Sequence, residues 1–236
     1  MNPTLDPRPS TRWLLIASGR NAADANMATD EALLEAMPRL QKPVLRFYGW
    51  TESAASFGYF QKYSEIERTT MLRPLVRRPT GGGLVPHDVD WTYSVAFPIT
   101  HEWYGLSAIE SYRRVHEWIQ AAFAELNVVT ELASCCKKSE PGQCFVGYEK
   151  SDLLWHGKKI AGAAQRRNKL GLLIQGSVQP PPLALKREHW ERAMLNAGAK
   201  MFGAVWMEAK PDEVLAARAF ELVREKYSQR SYNEKR

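Results

Sequence analysis

No apolar run in this 236-residue chain approaches the roughly 18 residues that a membrane-crossing helix needs. The opening residues, Met1-Asn2-Pro3-Thr4-Leu5-Asp6-Pro7, lack a basic stretch followed by an apolar core. They predict no secretory signal, and a cytoplasmic location is expected. Cysteine is scarce: Cys135, Cys136 and Cys144 are all there is. An odd count crowded into ten residues is not a disulfide framework. Nor does the spacing, with five scattered histidines and no histidine pair nearby, read as a zinc site, so no metal is expected. Five basic residues never occur in a row, although the formal net charge is +6. A nucleic-acid partner is therefore not expected, whereas an acidic protein partner fits that charge. Internal repeats and low-complexity linkers are also missing.

Hydrophobic residues make up 44% of the chain, enough for a substantial core. The reading is a loose leader over 1–11, one domain over 12–228 with a helical part at 183–228, and a frayed polar tail over 229–236. Helices are predicted at 21–37, capped by Asn21 and ended before Pro38, and at 61–68, 107–126, 186–196 and 211–227. Ile109, Tyr112, Val115, Ile119 and Phe123 form the apolar face of the third. Strands are predicted at 13–16, 44–48, 75–78, 84–85, 91–97, 128–132, 152–155, 158–165 and 170–178, with a turn over 56–59. The frequent hairpins make this an α+β domain with a mixed, mostly antiparallel sheet.

Two stretches stand out. In Arg77-Arg78-Pro79-Thr80-Gly81-Gly82-Gly83-Leu84-Val85-Pro86-His87-Asp88, three glycines let a ligand lie against bare backbone, and the arginines add fixed positive charge. In Gly157-Lys158-Lys159-Ile160-Ala161-Gly162-Ala163-Ala164-Gln165, a lysine enters a strand of small residues. Small residues leave room for a ligand along the sheet. Alone, the first is compatible with a plain glycine turn and the second with a surface hairpin.

Together, and followed by Gln175-Gly176-Ser177-Val178, they resemble the lipoate-protein ligase and octanoyltransferase family, with biotin ligases as more distant relatives. Ala25-Asn26-Met27-Ala28 with Asp30-Glu31, and Trp50 with Ser56-Phe57-Gly58 and Gln61, add to the resemblance. It covers roughly residues 12–200. It implies the biotin/lipoate ligase catalytic-domain fold, a curved sheet flanked by helices, with an acyl pocket under the glycine loop. By that resemblance Arg78, Thr80, the Gly81–Gly83 loop and His87 border the carbonyl end. Lys159 contacts the acyl carbonyl, Gly162 and Ala163 line the acyl channel, and Gln175 and Ser177 belong to the binding site. Gln175 departs from the His-Gly-Ser/Thr step of many relatives. A glutamine is no acid or base, although it still hydrogen bonds.

The resemblance leaves two activities open. A transferase takes octanoyl from acyl carrier protein through an enzyme cysteine and needs no cofactor. A ligase uses ATP and magnesium to make an acyl-adenylate, and at this length expects an accessory chain, since 58 residues follow Val178. Cys144-Phe145, eight residues before Asp152, resembles the cysteine loop of the ligase-like octanoyltransferases and favours the first. A nearby lysine ammonium would activate such a thiol. The partners implied are octanoyl-acyl carrier protein and a lipoyl domain, from glycine cleavage H protein or a 2-oxoacid dehydrogenase E2, with the enzyme a monomer off the membrane. A binding-only relative is disfavoured by the intact Arg78, glycine loop and Lys159. Biotin ligase is disfavoured by the missing Gly-Arg-Gly-Arg loop.

Overall fold

The computed structural model describes residues 11–137 and 147–235. In chain order the elements are β1 (Thr11–Asn21), α1 (Ala23–Leu40), β2 (Val44–Trp50), β3 (Ala54–Phe57), α2 (Tyr63–Thr69), β4 (Leu75–Arg77), β5 (Val85–His87) and β6 (Trp91–Pro98). Next come α3 (Glu102–Gly105), α4 (Ala108–Glu125), β7 (Glu131–Leu132), β8 (Leu153–Trp155), β9 (Lys158–Asn168) and β10 (Gly171–Val178). The chain closes with α5 (Arg187–Phe202), β11 (Ala204–Glu208), α6 (Glu213–Leu222), a π-helical turn over Val223–Tyr227, and α7 (Arg230–Asn233).

Eight strands form one sheet in the order β11-β1-β2-β6-β10-β9-β8-β7, and β4-β3-β5 form a second, smaller one. Only β1 runs parallel to its neighbours β2 and β11 in the large sheet; the other pairs are antiparallel. The expected mixed, mostly antiparallel α+β architecture is what the chain adopts. Alternation along the strands divides the core. One face carries Leu172, Ile174 and Val178 against α4 and α5, with Trp13, Trp118 and Trp190 fully buried. The other carries Leu173 against α1 and α6. Among the described residues no helix is long and apolar enough to cross a membrane.

Several local expectations are corrected. Asn21 ends β1 rather than capping α1; its amide donates to the Ser18 carbonyl at 3.1 Å. Pro38 lies inside the last turn of α1, which ends in left-handed Gln41 at φ 50°. Ile109 is 77% exposed, one position off the buried stripe of α4. Residues 54–57, read partly as a turn, are buried strand β3. The strand expected over 128–132 shortens to β7, and α3 and β11 were not foreseen. The tail read as frayed carries α7, and Asn233 accepts from the Arg77 amide at 2.8 Å through its side chain. The leader, except Thr11, lies outside the described residues.

Candidate active site

The glycine loop hangs between β4 and β5 and is held from within. Arg78 is buried, and its guanidinium donates to the carbonyls of Ser56, Gly81 and Gly83 at 3.1, 2.7 and 2.6 Å. Gly82 takes φ +81°, a left-handed conformation that favours glycine. Its backbone packs against Gly58, where an added Cβ would meet the Gly82 carbonyl oxygen at 1.8 Å. Arg78 thus shapes the loop from within.

Beneath the loop lies a buried hydrogen-bond network. His87 stacks on Trp50 with ring centroids 3.8 Å apart. One ring nitrogen lies 2.8 Å from Ser56 Oγ and the other 2.8 Å from Asp90 Oδ2. Asp90 Oδ2 also accepts from Ser177 Oγ at 2.7 Å and Thr92 Oγ1 at 3.0 Å. The connectivity Ser56–His87–Asp90 is that of a serine nucleophile array. However, Ser56 is only 3% exposed, and its oxygen also accepts from Arg78 at 3.2 Å. The array therefore braces the loop.

A second brace involves Gln175. Its Oε1 accepts from Thr80 Oγ1 at 2.8 Å and its Nε2 donates to Asp30 Oδ2 at 2.7 Å. Asp30 is in turn paired with Arg46 at 2.7 Å and accepts from Ser94 and Tyr48. The glutamine supplies one acceptor and one donor, the same pair a neutral histidine offers. Its departure from the His-Gly-Ser/Thr step therefore preserves a structural link. Thr80, His87, Gln175 and Ser177 are all buried, with these polar atoms engaged by the protein.

Lys159 sits near the start of β9, the strand whose Ala164 approaches the loop at Gly82. Its Nζ forms an ion pair with Asp152 Oδ2 at 2.7 Å, with side chains 9% and 0% exposed. The stem lies over Gly162, where an added Cβ would meet Lys159 Cε at 2.7 Å and Nζ at 2.8 Å. Asp152 is fixed from two other directions. Oδ2 accepts from the Glu149 amide at 2.7 Å, and Oδ1 accepts from the Tyr112 hydroxyl. Burial first, then the Asp152 charge, raises the Tyr112 pKa far above the usual phenol value, so it remains a donor. His116 lies next to Tyr112, ring centroids 4.4 Å apart, and its pKa is pushed down to about 4 by burial.

The local sequence explains the pair. The His156-Gly157 turn pairs Trp155 with Lys158 and Leu154 with Lys159, and a bulge then sets Leu153 opposite Ala161. That extra residue carries Asp152 toward Gly162 and the Lys159 head group; an added Cβ on Gly162 would lie 3.4 Å from Asp152 Oδ1. Alternation also separates two neighbours on this strand. Ala163 packs into the core on the α4 side, and Ala164 faces the loop, 3.5 Å from an added Cβ on Gly82. Asp152 and Tyr112 were missed in the sequence. The signal available was an acid near the far end of the same hairpin as Lys159.

Cys144 lies outside the described residues. The chain on either side of that segment is pinned, with Lys137 and Tyr148 exchanging backbone hydrogen bonds of 2.8 and 3.0 Å. Ala133 and Ser151 continue the pairing, with the Ala133 amide donating to the Asp152 carbonyl at 2.9 Å. Cys135 and Cys136 are both exposed.

The glycine loop thus lies against β9 at Ala164, and the same strand carries the ion-paired Lys159 at its start. The family model for the lipoyl protein ligase A/B catalytic domain matches residues 22–179, and the chain belongs to that family. The octanoyltransferase LipM of Halalkalibacterium halodurans is 36% identical over 179 residues, 70% of this chain and 65% of that relative. LipM of an Exiguobacterium species is 34% identical over 191 residues, 75% of this chain and 68% of the relative. The match thus spans about two thirds of these relatives' length. Among solved structures, lipoate-protein ligase A bound with ATP superposes with TM-score 0.78 at 22% identity, covering 96% of this chain and 99% of that one. A bi-partite lipoate protein ligase of Thermoplasma acidophilum gives 0.72 at 20% identity, covering 95% and 96%. At these identities the structures speak for the fold.

Proposed function

We propose that this protein is an octanoyltransferase of lipoate assembly, moving octanoyl from an acyl carrier protein thioester to a lysine of a lipoyl domain. The observation that carries this reading is the 34–36% identity to curated octanoyltransferases over 179 and 191 residues. The Cys144-Phe145 sequence and the ion-paired Lys159 support it.

In this reading the Cys144 thiolate attacks the octanoyl thioester carbon. The carrier thiol leaves and takes up a proton, and an S-octanoyl enzyme remains. The lysine ε-amine of the lipoyl domain then attacks that thioester. An amide forms, the amine gives up a proton, and the Cys144 sulfur leaves as thiolate. Lys159 supplies positive charge to the developing oxyanion and to the thiolate, where a fixed charge in a shielded site acts strongly. The small residues Gly162 and Ala164, with the glycine loop opposite, leave room for the acyl chain. Burying that chain is worth roughly 0.8 kcal/mol per CH₂. Both steps exchange activated thioesters, so no ATP enters. The net charge of +6 suits encounter with acidic carrier and lipoyl domains.

The test is the intact mass of the protein after incubation with octanoyl-carrier protein and no ATP, for wild type and Cys144→Ser. An octanoyl adduct on wild type that hydroxylamine removes, with none or a hydroxylamine-resistant ester on the variant, is expected. An unmodified wild type that lipoylates a lipoyl domain only with ATP would make the protein a ligase instead.

A further inference from the structure

We infer that Asp152, braced by Tyr112, is the positioning residue that fixes the Lys159 head group over Gly162. This rests on the reading of Lys159 as the charge that meets the acyl carbonyl. An ammonium on a flexible four-carbon stem does not hold one place unaided. Here it is 9% exposed and bonded at 2.7 Å to a fully buried carboxylate. That carboxylate is itself immobile. Its Oδ2 also accepts from the Glu149 amide, its Oδ1 accepts from Tyr112, and its backbone carbonyl is tied to Ala133. Tyr112 comes from α4 and Asp152 from the approach to β8, so two elements distant in sequence converge on one lysine. Tyr112 also accepts on its own carbonyl from His116 Nδ1 at 2.8 Å, anchoring the helix turn that aims the phenol. The chemistry needs charge at one point, and small misplacements of a reacting group are expensive in rate. Asp152 has a second consequence: it balances the buried ammonium, so the site holds charge without an uncompensated ion.

The experiment has two readouts on wild type, Asp152→Asn and Tyr112→Phe. The first is labelling of Lys159 by an amine-acylating reagent, read by peptide mass spectrometry, with exposed Lys158 as internal reference. The ion pair shields Lys159, and labelling relative to Lys158 is expected to rise about fivefold or more in Asp152→Asn and about twofold in Tyr112→Phe. The second is octanoyl transfer. Asp152→Asn is expected to lower kcat by about 10- to 100-fold with KM for the carrier thioester within about twofold, the pattern of an interaction made at the reacting centre. Tyr112→Phe should lower kcat less, and the double variant should be no slower than Asp152→Asn, because Tyr112 acts through Asp152. A purely structural pair would lower thermal stability additively and leave kcat per folded molecule unchanged. A flat labelling ratio, or kcat within twofold of wild type, overturns the inference. Should wild type form no octanoyl adduct, the parent reading fails, and the labelling contrast still decides the placement of Lys159. If Asp152→Asn does not fold, Tyr112→Phe, which keeps the ion pair, decides in its place.

Discussion

Gly162→Ala separates catalytic geometry from stability. A methyl at this position would lie 2.7 Å from Lys159 Cε, 2.8 Å from Nζ and 3.4 Å from Asp152 Oδ1. Carbon contacts are comfortable from about 3.5 Å, so the lysine head must retreat by roughly 1 Å. The atoms that move belong to the end of a flexible side chain, so the fold tolerates the change. Alanine also restricts the unfolded chain, which returns about 0.5–1 kcal/mol. The melting temperature should stay within a few degrees of wild type. The rate is another matter, since a displacement of about 1 Å at a reacting group can lose roughly a hundredfold. The assay is single-turnover formation of the S-octanoyl enzyme from octanoyl-carrier protein, alongside thermal unfolding followed by circular dichroism. Transfer within threefold of wild type in the folded variant would refute the claim that Lys159 must sit where Gly162 lets it lie.

Gly176→Ala should behave in the opposite way, because its Cβ would meet the rigid Tyr93 ring at 2.1 Å. A loss of about 1–3 kcal/mol is expected, seen as a melting point lower by several degrees. Gln175→Leu strips the Thr80 hydroxyl of its acceptor and Asp30 of a donor. It should lose about 1–3 kcal/mol, whereas Gln175→His should retain most of the stability; chemical denaturation of both reads the difference. His116 is buried neutral, its pKa pushed down by burial from the ordinary 6.5 to about 4. Protonation therefore favours the unfolded chain, and stability falls as pH drops from about 6.5 toward 4, by on the order of 2 kcal/mol at pH 5. His116→Gln should flatten that acid limb, measured as melting temperature against pH for both proteins.

Much of this was readable in the chain because the signals are local. Ser107 caps α4 by accepting from the Glu110 amide at 3.1 Å, as its place before an apolar stripe suggests. The His156-Gly157 turn and the alternation of β6 and β10 are equally direct. The glycine loop and Lys159 were found by their resemblance to a family. What escaped depends on distance in sequence or on a single inserted residue. The bulge at Ile160, between the Leu154–Lys159 and Leu153–Ala161 pairs, brings Asp152 to Lys159, and no propensity marks it. Adjacent strand residues point to opposite faces, so Ala163 and Ala164 part, and only Ala164 meets the glycine loop. β11 was not foreseen because five residues become a strand here by pairing in parallel with the distant β1. Thr80, His87, Gln175 and Ser177, named by the resemblance as binding residues, lie in two buried hydrogen-bond networks. Their polar atoms turn inward because a buried hydroxyl, imidazole or amide must find partners in the protein.

The docking of α7 sets the order in which the site can come into being. Arg77, the residue before the loop arginine, gives its amide to Asn233 and its guanidinium to the carbonyls of Tyr59, Gln61 and Asn233. The Arg77–Asn233 bond closes a separation of 156 residues. Contacts this remote in sequence form late, after the entropy of a long loop has been overcome. The strand leading into the glycine loop is thus locked from outside by a helix that arrives last. A partly opened molecule can hold most of both sheets while its glycine loop is still unset. In the proposed function, an acyl group meets a fully set loop only once that long-range bond has closed.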